Sequence, residues 1–145
     1  GRIRAYCAAS GQGVPDGDGE VVRCILESLA LKYRWVIERM GDVTNRPVDV
    51  IHIVGGGSRN AVLCQLTADA TRREVIAGPV EATALGNILM QAVAHGHLAS
   101  AEEVRQVVLN SFELETYEPR EGAEQWDDAY GRLLTLMESP PEIET

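Results

Sequence analysis

Apolar residues recur on a helical period early in the chain. Val21, Val22, Ile25, Leu26, Leu29, Tyr33, Val36, Ile37 and Met40 fall on one face of a 3.6-residue repeat. The spacing predicts a long helix over 20–40, with Asp18 in its capping region and Gly41 as its stop. Residues 10–19 before it are dense in Gly, Pro and Asp and read as a loop. After it the pattern changes. Val48-Asp49-Val50-Ile51-His52-Ile53-Val54 is short, rich in β-branched residues and bounded by Pro47 and Gly55, which predicts a buried strand. Gly55-Gly56-Gly57 ends it, and Ser58 is read as the cap of a helix to about residue 70. Glu74-Val75-Ile76-Ala77 predicts a second strand, stopped by Gly78-Pro79. A third helix is expected over 82–94, and Ser100-Ala101-Glu102-Glu103 opens a fourth, through 109, as a capping box. Residues 112–117 read as extended. A last helix over 123–137 places Trp126, Tyr130, Leu133, Leu134 and Met137 on one side. Pro140-Pro141 stops it, and the tail beyond is expected to fray.

Strand, helix, strand in that order means a parallel pair with a right-handed crossover. Two strands are few for a free-standing α/β sheet, which usually has about five. The sheet edge would be open and apolar, a template for self-association. The chain therefore reads as the back half of a domain whose first strands lie elsewhere, and a start at Gly1 rather than Met points the same way.

Composition adds limits. With 145 residues, 45% hydrophobic and 24% charged, the chain can bury a core without disulfides or metal. Its net charge is −9, and −8 of that sits in residues 111–145. An acidic balance argues against nucleic acid or an anionic membrane as partner, because both need Lys and Arg against phosphates. No apolar run approaches the ~18 residues a membrane span needs. Cys7, Cys24 and Cys64 form no C-x-x-C pair and read as reduced thiols of a cytoplasmic protein. Cys24 and Cys64 lie on apolar helical faces, as buried spectators rather than nucleophiles.

The chemically suggestive stretch is Ile51-His52-Ile53-Val54-Gly55-Gly56-Gly57-Ser58-Arg59-Asn60. A buried strand enters three glycines and then a helix. Glycine lets a ligand approach with no Cβ in the way, and a helix N-terminus offers free N–H groups suited to phosphate. The competing reading is a tight turn with no ligand. A phosphate loop of the G-x-x-x-x-G-K type is excluded, since the only lysine is Lys32. The dinucleotide fingerprint G-x-G-x-x-G fails at Asn60, and Glu74 stands at the wrong end of the second strand for its acidic residue. Asn60 fits equally as a helix cap and as a ligand-binding amide. Arg59 reads as solvated and Gln65 as structural. Glu81 and Thr83 suit a helix start better than catalysis. His95 and His97 suit a helix end, and His52 a core or interface position. Trp126 and Tyr130 suit packing better than base stacking.

Joined at this separation, IHIVGGGSRNAVLCQLTADAT and REVIAGPVEATALGNILMQAVAHG resemble the adenosine-binding part of the FGGY carbohydrate kinases. RIRAYCAASGQGVP and GEVVRCILESLALKYR upstream resemble the same family, so the likeness spans about residues 1–115. The resemblance implies the C-terminal half of an actin-like, ribonuclease-H-like ATPase domain, an α/β fold with a short parallel sheet and flanking helices. On that basis the whole chain, 1–145, is one C-terminal portion of the nucleotide-binding domain. It comprises a leading loop segment (1–19), a helix-strand-helix-strand-helix core (20–97), and C-terminal helices with an acidic tail (98–145).

The resemblance also implies a parent enzyme. It would transfer the γ-phosphoryl group of ATP to the 1-hydroxyl of a 6-deoxy-ketose such as L-rhamnulose, with Mg²⁺ held mainly by the phosphates and by residues outside this chain. Gly55, Gly56 and Gly57 match the family's turn beside the α-phosphate and ribose, and Asn60 matches the polar residue that reaches adenine or ribose. The sugar site and the catalytic aspartate belong to the part preceding Gly1, so no catalytic residue and no metal ligand is assigned, and the chain alone is expected to be inactive. The alternative is a non-catalytic nucleotide-binding or oligomerisation module that keeps the fold.

Overall fold

The structure is a computed structural model and describes residues 1–141. The elements in chain order are α1 (Arg2–Ala9), α2 (Asp18–Thr44), β1 (Val50–Ile53), a 3₁₀ turn (Gly55–Arg59), α3 (Ala61–Thr71), β2 (Glu74–Ala77), α4 (Ala82–Ala94), α5 (Ala101–Ser111), β3 (Glu115–Tyr117) and α6 (Ala123–Glu138). β2 and α4 begin and end where the pattern places them. The fraying expected of the tail concerns residues 142–145, which lie outside the described residues.

The sheet corrects one expectation. It is not purely parallel but mixed, with three strands in the order β1-β2-β3. β1 and β2 pair in parallel, Val50 opposite Glu74 through Ile53 opposite Ala77. β3 pairs antiparallel with β2, Tyr117 opposite Val75 and Glu115 opposite Ala77. The third strand covers one edge of the parallel pair, so the outer edges of the sheet are those of β1 and β3. The leading segment differs too, because α1 stands where a loop was expected. Only Cys7 of that helix is buried, so it carries little apolar periodicity.

α2 runs past Gly41 to Thr44 and ends at Asn45, which takes the left-handed conformation at φ 50°. Asparagine tolerates that conformation better than most residues, and Gly41 stays helical. α3 is the centre of the packing: eight of its eleven residues, Leu63, Cys64 and Leu66–Thr71, are buried. One side meets α2 and α6 through Ala30, Leu31, Leu66, Ala70 and Tyr130, with Trp35 and Trp126 closing the cluster. The other side meets the sheet through Cys64, Ala68, Val75 and Ala77, backed by Ile51, Ile53 and Tyr117. Ala30, Ala68 and Ala70 have no exposed surface, and small residues there let the layers approach closely. Trp126 and Tyr130 thus pack in the core as expected.

Thr67 and Thr71 are polar yet buried in α3. Each donates its hydroxyl hydrogen to the carbonyl four residues back, at 2.7 Å in both cases. The α2–α6 seam carries charge. Arg34 donates to Glu38 at 3.0 Å and to Asp127 at 2.8 Å, and its guanidinium lies 4.3 Å from the Tyr130 ring centroid. Asp127 also accepts from Arg72. Tyr130 is only 7% exposed and donates its O–H to Glu38 at 2.6 Å.

Burial, followed by the Glu38 carboxylate, pushes the Tyr130 phenol up to about 12. A raised folded-state pKa favours the neutral phenol, so its stabilisation is complete below the unfolded value of about 10 and is lost as pH climbs toward the folded value. Tyr130→Phe is therefore expected to cost about 1.5–3 kcal/mol at pH 7, the worth of a hydrogen bond to a charged acceptor. The gap to wild type in urea unfolding should narrow above about pH 10 and close only near pH 12. A gap that persists unchanged at pH 11 would show that the phenol–carboxylate bond is not its source.

Candidate functional site

Parallel pairing places the turns that leave β1 and β2 side by side at the carboxyl end of the sheet, where α/β folds form ligand crevices. The two turns are bonded to each other. The Gly55 N–H donates to the Pro79 carbonyl at 3.0 Å, and the Gly78 N–H donates to the Ile53 carbonyl at 2.8 Å. Gly55 has φ +74° and Gly78 has φ +114°, conformations that side chains disfavour. Ser58 is buried and donates its hydroxyl hydrogen to the Gly55 carbonyl at 2.7 Å. That bond coils residues 55–59 into a 3₁₀ turn, so Ser58 braces the turn instead of capping a helix.

The helix cap is Asn60. Its Oδ1 accepts from the Leu63 N–H at 3.0 Å, and α3 begins at Ala61. Asn60 is exposed, and with Oδ1 committed to the cap its Nδ2 is left as an outward donor. Ala61 and Val62 contribute first-turn N–H groups that lack an intrahelical acceptor four residues back. α4 starts from the neighbouring turn with Glu81 as its N-cap, and that side chain makes no capping bond.

Gly56 and Gly57 differ from Gly55. Neither has a positive φ. A Cβ on Gly56 would meet nothing within 4 Å, and one on Gly57 would meet only Ile53 Cγ2 at 3.7 Å, an ordinary contact. Neither the backbone nor the interior requires glycine at these two positions. Glycine in a helical turn nonetheless costs about 0.5–1 kcal/mol relative to alanine. What their missing side chains leave clear is the outer surface of the turn.

The glycine turn itself carries no carboxylate: no Asp or Glu occurs from Val50 through Ala68, and Arg59 is exposed on the turn, while Glu81 stands exposed on the neighbouring turn. The first carboxylate of α3, Asp69, faces away into a bond with Arg120. Among the described residues no three of His, Cys, Asp and Glu cluster as metal ligands.

Gly55, Gly56, Gly57 and Asn60 thus share one turn. Gln65 is structural, donating to Asp69 Oδ1 at 2.9 Å and to the Glu118 carbonyl at 2.8 Å. Glu81 and Thr83 are exposed at the start of α4. Of the core or interface position expected for His52, the core is corrected: it is exposed on β1 and projects from the face opposite Ile51 and Ile53, where only the interface half of the expectation is left open. Burial pushes the Cys64 thiol up, and burial with neighbouring Cys7 does the same to Cys24, so both stay protonated and neither is an activated nucleophile. Two features of the site escaped the sequence reading, the bracing bond of the Ser58 hydroxyl and the bonding of the Gly78–Pro79 turn to Gly55. The parallel pairing of β1 and β2 was the available signal for the second, since it obliges both turns to leave the same edge.

Comparison with known proteins bears on the family and the fold. Residues 2–95 match the FGGY family of carbohydrate kinases, C-terminal domain. The chain is 48% identical over 128 residues to the rhamnulokinase of Bacteroides thetaiotaomicron, which covers 88% of this chain and 26% of that protein. It is 43% identical over 119 residues to the rhamnulokinase of Bacillus subtilis, covering 82% of this chain and 24% of that protein. The crystal structure of xylulose kinase from Rhodospirillum rubrum superimposes with a TM-score of 0.69 at 23% identity, over 89% of this chain and 26% of that one. The fold is the actin-like ATPase fold, and the chain spans about a quarter of the length of these relatives. No helix among the described residues is long and apolar enough to cross a membrane. The chain belongs to the FGGY family of carbohydrate kinases, matching that family's C-terminal domain over residues 2–95.

Proposed function

We propose that this chain is the adenosine-holding part of an ATP-dependent sugar kinase of the cytoplasm. Gly55, Gly56 and Gly57 lie along the α-phosphate and ribose, and Asn60 Nδ2 donates to the ribose or adenine. The observation that carries the reading is the Gly56–Gly57 pair, which keeps the outer surface of the turn bare at a position where the fold accepts alanine. The absence of carboxylates from Val50 through Ala68 and the first-turn N–H groups of α3 support it. Mg²⁺ would travel with the nucleotide phosphates, because no described cluster offers it three protein ligands. The names of the relatives point to L-rhamnulose or a similar 6-deoxy-ketose as acceptor, phosphorylated at its 1-hydroxyl. The relatives are about four times as long, and a general base for that step is not among the residues of this site, so the chain alone binds MgATP and does not turn it over. The second reading, a binding module that self-associates, is favoured only by the outer edges of β1 and β3.

Asn60 separates capping from binding. Asn60→Asp keeps the acceptor for the Leu63 N–H and adds a charge that helix N-termini favour by about 0.3–1 kcal/mol. It also removes the outward donor and places a carboxylate beside the phosphates. The variant is expected to melt at or above the wild-type temperature yet bind MgATP at least tenfold more weakly by titration calorimetry, about 1.4 kcal/mol. Asn60→Ala should lose the cap as well, about 1 kcal/mol of stability. Equal affinity in wild type and Asn60→Asp would reduce Asn60 to a cap. A wild-type chain that takes up no MgATP and instead associates as its concentration rises would favour the second reading.

A further inference from the structure

β3 lies beyond residues 2–95, the stretch matched to the family. Its pairing nevertheless carries it to the two bonded turns at Gly55 and Gly78–Pro79. Ala77, the last residue of β2, lies opposite Glu115, and the strands are antiparallel. The residues before Glu115 therefore run past the carboxyl end of β2, alongside the Gly78–Pro79 turn. Leu114 is half-buried there. A Cβ built on Gly78 would stand 3.0 Å from Leu114 Cδ2 and 3.7 Å from the Glu113 carbonyl oxygen. Leu114 fills the space that a side chain on Gly78 would need.

The contact continues into the nucleotide turn. The Gly78 N–H is bonded to the Ile53 carbonyl, and the Pro79 carbonyl receives the Gly55 N–H. One apolar side chain thus rests on the peptide unit that anchors both turns. Gly78 has φ +114° and no side chain of its own to pack, so its conformation depends on what lies against it. We propose that Leu114 is a positioning residue of the crevice: seated on Gly78, it holds the Gly78–Pro79 turn so that the Pro79 carbonyl fixes the Gly55 amide. Its consequence for binding rests on the nucleotide reading above, whereas its consequence for the two turns does not.

Leu114→Ala in the 145-residue chain tests both parts. The expected result is amide hydrogen exchange at least tenfold faster at Gly55 and Gly78, with a smaller change at Leu66 and Ala70, whose buried amides report opening of the α3 core. MgATP affinity should fall about three- to tenfold, and Leu114→Met, of similar volume, should restore both readouts. Unchanged exchange at Gly55 and Gly78, or equal acceleration at all four amides, overturns the proposal. So does undiminished MgATP affinity once those two amides have loosened. If wild-type chain binds no MgATP while the two amides still respond to Leu114→Ala and to its rescue, the nucleotide reading fails and the structural seat of Leu114 stands.

Discussion

Alanine at Gly56 and Gly57 together weakens MgATP binding at least about tenfold, or 1.4 kcal/mol, while the chain melts no lower than wild type. The expectation follows from what surrounds each glycine. A methyl group at Gly56 enters open space, and one at Gly57 makes an ordinary contact with Ile53. Neither residue has a positive φ, so alanine meets no backbone strain. Alanine is also less flexible in the unfolded chain, a gain of about 0.4–1 kcal/mol where the native conformation admits it. For a chain of this size each kcal/mol moves the melting temperature by about 2–4 °C.

Stability should therefore hold or rise while affinity falls, a combination that damage to the fold cannot produce. Gly55→Ala supplies the contrast. At φ +74° alanine is strained by about 1–2 kcal/mol, so that variant should lose stability and binding together. Calorimetric titration with MgATP and thermal melting of the same samples read both quantities. Undiminished affinity in the Gly56→Ala/Gly57→Ala variant would make the three glycines a turn and nothing more.

How far this site was legible in the sequence depends on the range of the interactions that build it. That Gly55, Gly56, Gly57 and Asn60 form one turn was legible because they are neighbours in the sequence. Which of Ser58 and Asn60 caps α3 was not. Both can cap a helix, they stand two positions apart, and the choice turns on whether the Ser58 hydroxyl finds the Gly55 carbonyl. The stop of α2 was misplaced for a similar reason. Gly41 and Asn45 are both plausible ends, and only the structure shows Asn45 in the left-handed conformation. β3 could be read as extended but not as a partner of β2, since Glu115-Thr116-Tyr117 is three residues long and not distinctly apolar. Gly78 was legible as a strand stop, whereas its contact with Leu114 depends on that same pairing. Asp69 interrupts the most apolar side of α3 with a charge, a visible anomaly. Its partner, Arg120, is 51 positions away, beyond anything periodicity can reach.

That ion pair sets the largest expected loss of stability. Asp69 is 6% exposed and collects four donors. The Arg120 backbone N–H and the Gln65 amide each reach it at 2.9 Å, and the Arg120 guanidinium reaches it at 2.6 and 3.1 Å. Burial alone would push this carboxyl up. The bonds from Arg120 and Gln65 outweigh it and hold the group below the usual carboxylate range. Asp69→Ala removes every acceptor at once and leaves the part-buried Arg120 N–H unpaired. Removing one partner of a buried pair costs about 3–5 kcal/mol when a charge is stranded. Here the stranded guanidinium is well exposed, which points to the lower end, about 3 kcal/mol.

Asp69→Asn keeps one oxygen acceptor and should cost less, about 1–2 kcal/mol. A depressed folded-state pKa stabilises the chain fully above the unfolded carboxyl value of about 3.9 and loses that contribution as pH falls through the lower folded value. The difference between wild type and Asp69→Asn in urea unfolding should therefore be full at pH 7 and shrink below about pH 4. A difference that stays constant down to pH 2 would assign the cost to packing rather than to the charge. The bond also joins the segment between β3 and α6 to α3, the helix that Asn60 caps. Loss of Asp69 is thus expected to release Arg120 and Glu118 before it disturbs Gly55–Asn60, because the turn keeps its own ties through Ser58 and Pro79. Hydrogen exchange at the two ends of α3 in Asp69→Asn, faster near Arg120 and unchanged at Asn60, is the pattern that follows.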